Sequence, residues 1–231
     1  MRRVFCSTAA LCVTAVFVLP MVAEAVTAAD VARKLREEIL ETFECEDLEV
    51  SVVAYPDQML TDQGRFKSVT VRAGSASRAG IVMRPLYTKG TDVVFDMAKM
   101  RGNPSSIDTK SRGATVVHIA ITEEDLTEGL QMAQDVIPDL TATLNGGQIT
   151  LTGTYRLLVG NKFKMAGKLV ADGGYKINFV PTAVKVNGVP IPVSGIKVVL
   201  AKINPLLDLA TVVMKPKITK MTVENGKLVV E

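Results

Sequence analysis

The chain has 231 residues, 48% hydrophobic and 22% charged, with a formal net charge of +3 and no tryptophan. The net charge hides two opposite halves: Val26 to Leu144 carries 13 Lys and Arg against 19 Asp and Glu, and Asn145 to Glu231 carries 12 against 4. With Arg156 the only arginine in the basic half, the charge pattern argues against nucleic acid and suits a solvated sheet face or an anionic surface.

The N-terminus reads as a secretory signal: Arg2 and Arg3, an apolar run from Val4 to Met21, and an Ala23-Glu24-Ala25 cleavage site. The apolar run is short for a membrane span and is broken by Ser7, Thr8 and Pro20. Cleavage after Ala25 removes Cys6 and Cys12 and leaves Cys45 alone, so no intramolecular disulfide is expected. Stability must come from a core, and residues 26–231 are read as one domain.

Thr27-Ala28-Ala29-Asp30 reads as a helix start, and Val31, Leu35, Ile39 and Phe43 give the helix one apolar stripe. Glu44, Glu46, Asp47 and Glu49 read as a solvated turn. Strands are expected over Leu48 to Tyr55, around Val69 to Ala73, over Ile81 to Tyr87 and over Asp92 to Met97, with a polar loop from Arg101 to Arg112. Val117, Ile119 and Ile121 share the next strand face. Thr122 caps a second helix whose stripe is Leu126, Leu130, Ala133 and Ile137, with Pro138 at its end.

The stretch Gly146 to Pro192 carries the strongest pattern. Ile149, Leu151, Gly153, Tyr155 and Leu157 alternate with Thr150, Thr152, Thr154 and Arg156. After a turn at Gly160-Asn161, Phe163, Met165, Gly167 and Leu169 alternate with Lys162, Lys164, Ala166 and Lys168. Gly173-Gly174 turns the chain again, and Tyr175, Ile177 and Phe179 alternate with Lys176 and Asn178. A period of two marks an antiparallel meander with one apolar face and one cationic face. Asn187-Gly188 and Asn225-Gly226 are hairpin turns of type I′. Between them a third helical run places Ile196, Val199, Leu200 and Ile203 on one face, and Pro205 interrupts it. The whole reads as α+β: a large, strongly bent antiparallel sheet wrapping two to three amphipathic helices.

The chemistry of an enzyme is missing. His118 is the only histidine, at an outward strand position, and a single histidine excludes multi-histidine metal sites. The acidic run around Cys45 is expected to raise its pKa, the opposite of an activated thiol. Asp92 and Asp96 read as strand-end residues, and no nucleophile elbow, phosphate loop or dinucleotide fingerprint is present. No enzyme, metal or cofactor is expected. Met83, Met97, Met100, Met132, Met165, Met214 and Met221 suit either core packing or an adaptable lipid-lined interior.

The run ITLTGTYRLLVGNKFKMAGKLVADGGYKINFVPTAVKVNGVPIP, the helix ending INPLLDL and the terminal KITKMTVENGKLVVE together resemble the LmeA-like phospholipid-binding family. The carrying features are a G-x-(Y/F) meander, the VKVNGVPIP segment that starts at Val184, and the V-x-N-G-x-L-V-V hairpin from Val223 to Val230. Met214-Lys215-Pro216-Lys217 stands where the family has a glycine-rich P-x-G ending. The resemblance implies a fold similar to half of a tubular lipid-binding barrel, an exported, periplasmic or extracytoplasmic location, and binding of phospholipid acyl chains. It supplies no catalytic residues. Joined to the meander's apolar face, it makes Leu151, Tyr155, Phe163, Met165, Leu169, Ile177, Phe179, Ile196 and Leu200 the expected groove lining. Lys162, Lys164, Lys168 and Lys176 become the residues facing anionic headgroups. Phospholipid or another acyl lipid, a transient anionic membrane surface and an envelope protein are the expected partners. A lipoprotein carrier, a ligand-free envelope module and an envelope-glycan enzyme are the rival readings.

Overall fold

The computed structural model describes residues 26–102, 106–133, 137, 139–155, 161–212 and 214–231. The expected signal segment, Asn103-Pro104-Ser105, Pro138 and the Arg156 to Gly160 stretch lie outside the described residues.

Helix α1 (Ala28–Thr42) leads into β1 (Glu44–Glu46) and β2 (Glu49–Ala54), and a short α2 (Gln58–Asp62) precedes β3 (Arg65–Ala73). Next come β4 (Ser75–Arg78), β5 (Ile81–Met83), β6 (Leu86–Phe95), α3 (Met97–Met100), β7 (Thr109–Ser111), β8 (Thr115–Thr122) and α4 (Glu123–Met132). The second half holds β9 (Thr141–Asn145), β10 (Gln148–Tyr155), β11 (Asn161–Asp172), β12 (Lys176–Val186) and β13 (Val189–Pro190). A 3₁₀ turn (Val193–Ile196) opens α5 (Lys197–Ile203). β14 (Leu207–Asp208), a second 3₁₀ turn (Leu209–Thr211), β15 (Met221–Glu224) and β16 (Lys227–Val230) close the chain.

Every strand pairing among the described residues is antiparallel. The fold is mixed α+β with no closed barrel. Its strands form three sheets, ordered β1-β4-β5, β13-β12-β11-β10-β9 with β14 on β12, and β15-β16-β8-β6-β3-β2 with β7 on β6. One continuous sheet was the sequence expectation, and two features divide it. Pro85 lacks an N–H and separates β5 from β6, so Leu86 rather than Tyr87 turns inward. Helix α4 lies on β9, where a strand of the other large sheet would otherwise pair.

The helices begin where their caps say. Thr27 and Asp30 form a capping box at α1, and Thr122 and Asp125 form one at α4. Asp125 is buried, and Arg84 Nη1 stands 2.8 Å from its carboxylate, so its charge is paired. Val31, Leu35, Ile39 and Phe43 all lie in the core, with α1 packed on β2. At Gly129 a Cβ would stand 2.8 Å from the Ile81 backbone, so this glycine is what lets α4 press against β5. The acidic stretch after α1 begins as strand: Glu44–Glu46 pairs with β4, Ser75 Oγ donates to Glu46 at 2.8 Å, and the turn follows at Asp47 with φ 52°.

In the meander, Leu151 pairs with Met165 and Leu169 with Phe179, all with the expected inward facing, and Met165 also pairs with Val184 on β12. The register slips once, between Ala166 and Gly167, and a Cβ on Gly167 would stand 2.7 Å from the Phe179 ring. Asn187 and Gly188 both have positive φ, as do Asn225 and Gly226, which is the type I′ signature. The outer edge of β12 is occupied by β13, then by the Asn204 side chain, then by β14. Asn204 Oδ1 accepts from Phe179 N at 2.8 Å and its Nδ2 donates to Phe179 O at 2.9 Å, as a neighbouring strand would.

Helix α4 binds the free edge of β9 through one polar stripe. Leu144 N donates to Glu123 Oε1. Ala142 N donates to Thr127 Oγ1 at 2.9 Å, and Gln131 Nε2 donates to Leu140 O at 2.7 Å. Thr127→Val keeps the volume and removes the acceptor for Ala142 N. We expect a loss of about 1–2 kcal/mol in urea unfolding, with faster amide exchange at Ala142.

Across β3 and β6, Arg65 Nε and Nη2 stand 2.6 and 2.8 Å from the two oxygens of Asp92, and Tyr55 OH donates to the same carboxylate at 3.0 Å. The Arg65 bonds hold the Asp92 carboxyl below its ordinary 3.8, with Tyr55 adding to the effect, while the same bond to Asp92 raises the Tyr55 phenol. A depressed carboxyl stabilises the fold above its unfolded value and loses that contribution as pH falls through the folded value. Melting temperatures of wild type and Asp92→Asn should therefore differ most near neutrality and converge below pH 3.8; a gap that persists in acid would contradict this.

Candidate functional site

Where the apolar face of the meander outruns its cover, a cleft opens. The seven residues of α5 span about 10 Å and the twelve of β11 about 40 Å, so the helix covers only part of the strand's length. The cleft has a volume of about 440 Å³, within the range of small-molecule sites. Tyr155, Asn161 and Phe163 line it from the β10–β11 end and Val186 from β12. Ile191, Gly195, Ile196, Val198 and Val199 line it from the opposite side. Among the described residues, Asn161 is the one non-aromatic polar side chain in the wall, and its Oδ1 accepts from Asn187 Nδ2 at 2.8 Å.

Tyr155, Phe163 and Ile196 are thus the expected lining residues that face this cleft. Leu151, Met165, Ile177 and Phe179 share the same sheet face but lie at 0–1% exposure inside the core, and Leu169 and Leu200 pack half-buried against it. Strand alternation identifies the inward face but not where a helix fills it. Asn161, Val186, Ile191, Gly195, Val198 and Val199 complete the site. The signal for Val198 was present in the sequence as an apolar residue off the buried stripe of α5.

The four expected headgroup lysines are all exposed. Lys164 stands opposite Lys185 across β11 and β12. Lys176 Nζ lies 3.6 Å from Asp208. Lys162 sits near Asp139, whose carboxyl is lowered chiefly by the Thr154 hydroxyl and amide and only slightly by Lys162. From residue 173 to residue 207 the chain has no Asp or Glu, so the cleft's own segment carries only positive charge.

A second, larger recess of about 620 Å³ lies between α1, the β4–β5 turn and α4. Its walls include Leu40, Phe43, Val82 and Met132 beside Glu41, Glu44 and Glu128. Three carboxylates against the single guanidinium of Arg78 leave this recess net negative, which disfavours an anionic ligand, and the first cleft, apolar and flanked by lysines, suits one better.

The remaining candidates fall elsewhere. His118 Nδ1 lies 3.9 Å from Glu231, half-exposed on β8. Cys45 is half-buried, and its thiol is raised mainly by burial rather than by the surrounding acids, against a lowering from Arg36. Asp96 caps α3, and Asp92 serves the Arg65 clamp. Met83, Met165 and Met214 fill the core, and Met132 is exposed beside the second recess. Among the described residues no cluster of His, Cys, Asp and Glu suits a metal ion, and no helix is long and apolar enough to cross a membrane.

The chain thus joins an antiparallel α+β fold to an apolar cleft beside a short helix with exposed lysines nearby. The chain belongs to the LmeA-like phospholipid-binding family, whose model matches residues 21–231. No curated protein and no solved structure matches it.

Proposed function

We propose that the protein binds a phospholipid with an acyl chain in the cleft bounded by Tyr155, Phe163, Val186, Ile191, Ile196 and Val199. The carrying observation is the coincidence of family and geometry: a phospholipid-binding family and an apolar cleft whose segment holds lysines but no acid. Burial of about ten methylenes contributes about 8 kcal/mol before the cost of ordering the chain, so no special polar chemistry is needed. The fold acts as an open half-barrel whose strands partly enclose the lipid. The protein is exported, its N-terminal segment is a cleaved signal, and it works outside the cytoplasm in lipid transport or envelope maintenance, without enzymatic activity. An anionic membrane supplies the lipid, and an envelope protein is a further partner.

Native mass spectrometry of detergent-free protein tests the reading directly: phospholipid adducts are expected, and a clean apo mass after incubation with liposomes favours a ligand-free module. Gly195 tests the location. It lines the cleft, and a Cβ there meets only Ile191 Cδ1, at 3.4 Å. Gly195→Phe should fill the cleft and weaken phospholipid binding about tenfold or more, about 1.4 kcal/mol, with an unchanged melting temperature. Unaltered binding in the folded variant places the lipid elsewhere.

A further inference from the structure

The cleft does not open onto an ordinary polar surface. Val189 is 62% exposed, Val193 38% and Val198 65%, all within ten residues that also supply the wall residues Ile191, Gly195 and Ile196. Single exposed valines are common on any protein. Three grouped at the border of an apolar cleft form a patch that water solvates poorly. The cations beside them are unopposed: Lys197 and Lys202, on the helix that carries Val198, are exposed, and among the described residues neither forms an ion pair.

The geometry points to a membrane-docking edge: Val189, Val193 and Val198 enter the interface of an anionic phospholipid bilayer while Lys197 and Lys202 meet its headgroups, with the mouth of the cleft facing the lipid. The inference rests on the lipid-cleft reading and adds an orientation to it. Apolar side chains that enter the headgroup boundary beside lysines that remain in it are the arrangement of an interfacial surface. A lysine at an anionic surface raises partition about fivefold, so two raise it about twenty-five-fold. The lysine row of the open sheet face, to which Lys164 and Lys185 belong, points away from the cleft, since their neighbours Phe163 and Val186 line it, and Lys176 of that row is paired with Asp208. Docked by the valine edge, the protein takes an acyl chain from the bilayer into the cleft without exposing it to water.

The test uses the whole protein with two probes. Co-sedimentation with vesicles of phosphatidylcholine, with or without phosphatidylglycerol, reads docking. A short-chain phosphatidylglycerol below its micelle concentration reads the cleft alone. Wild type should sediment with the mixed vesicles at least tenfold more strongly than with the neutral ones. Val189→Asp with Val193→Asp, and separately Lys197→Glu with Lys202→Glu, should each reduce vesicle binding at least tenfold and leave short-chain binding within twofold; none of these residues lines the cleft. Variants that sediment like wild type overturn the docking edge. Wild type that ignores both vesicles also overturns it and assigns the valine patch to a protein partner. Wild type that docks yet takes no short-chain lipid supports the edge and sinks the cleft reading instead.

Discussion

The fold depends on a coincidence of two repeats. Four residues of α-helix rise about 6.0 Å, and two residues of strand advance about 6.6 Å. Glu123, Thr127 and Gln131, spaced by four on α4, therefore keep step with Leu144, Ala142 and Leu140, spaced by two at the edge of β9 and just before it. The helix satisfies backbone groups that an edge strand would leave open. It follows β8 directly, so this match also ties the seven-stranded sheet to the six-stranded one. A second tie lies nearby, where Gly147 N donates to Val223 O at 3.2 Å. The two large sheets thus share a border held by side chains and one loop bond rather than by a ladder.

That border explains which parts of the architecture the sequence discloses. Local features are legible: the Thr27 and Thr122 caps, the stripe Val31-Leu35-Ile39-Phe43, the inward set of the meander and the two Asn-Gly turns are all written within a few residues of where they act. The division into three sheets is not. The residues that bind α4 to β9 read as ordinary surface polars of a helix, and their partners are backbone atoms, which leave no trace in composition. Pro85 gave a visible warning, but the alternation Ile81, Met83, Pro85, Tyr87 concealed it by continuing on paper past the break.

The candidate site divides in the same way. Tyr155, Phe163 and Ile196 were found because the period of two and the helical stripe point them toward the interior. Leu151, Met165, Ile177 and Phe179 satisfy the same rule yet fill the core, in one buried cluster with Ile137 and Leu140, which pack against Gly153 of β10. Whether an inward residue meets protein or empty space depends on the length of the element opposite, and α5 is short because Asn204-Pro205 ends it. The cleft is thus set as much by a helix stop as by its own wall.

The Asn204 amide has a consequence for association. It takes both backbone groups of Phe179; β13 pairs with Lys185 and Val186 and β14 with Lys176 and Ile177 along the same border of the six-stranded sheet, while α4 occupies the opposite one. Among the described residues neither margin offers a long row of unsatisfied donors and acceptors, so an extended peptide or the strand of another copy finds little of this sheet to pair with. Recruitment of another molecule to this half of the protein has to proceed through its side chains, where single substitutions can tune it without disturbing the ladder beneath.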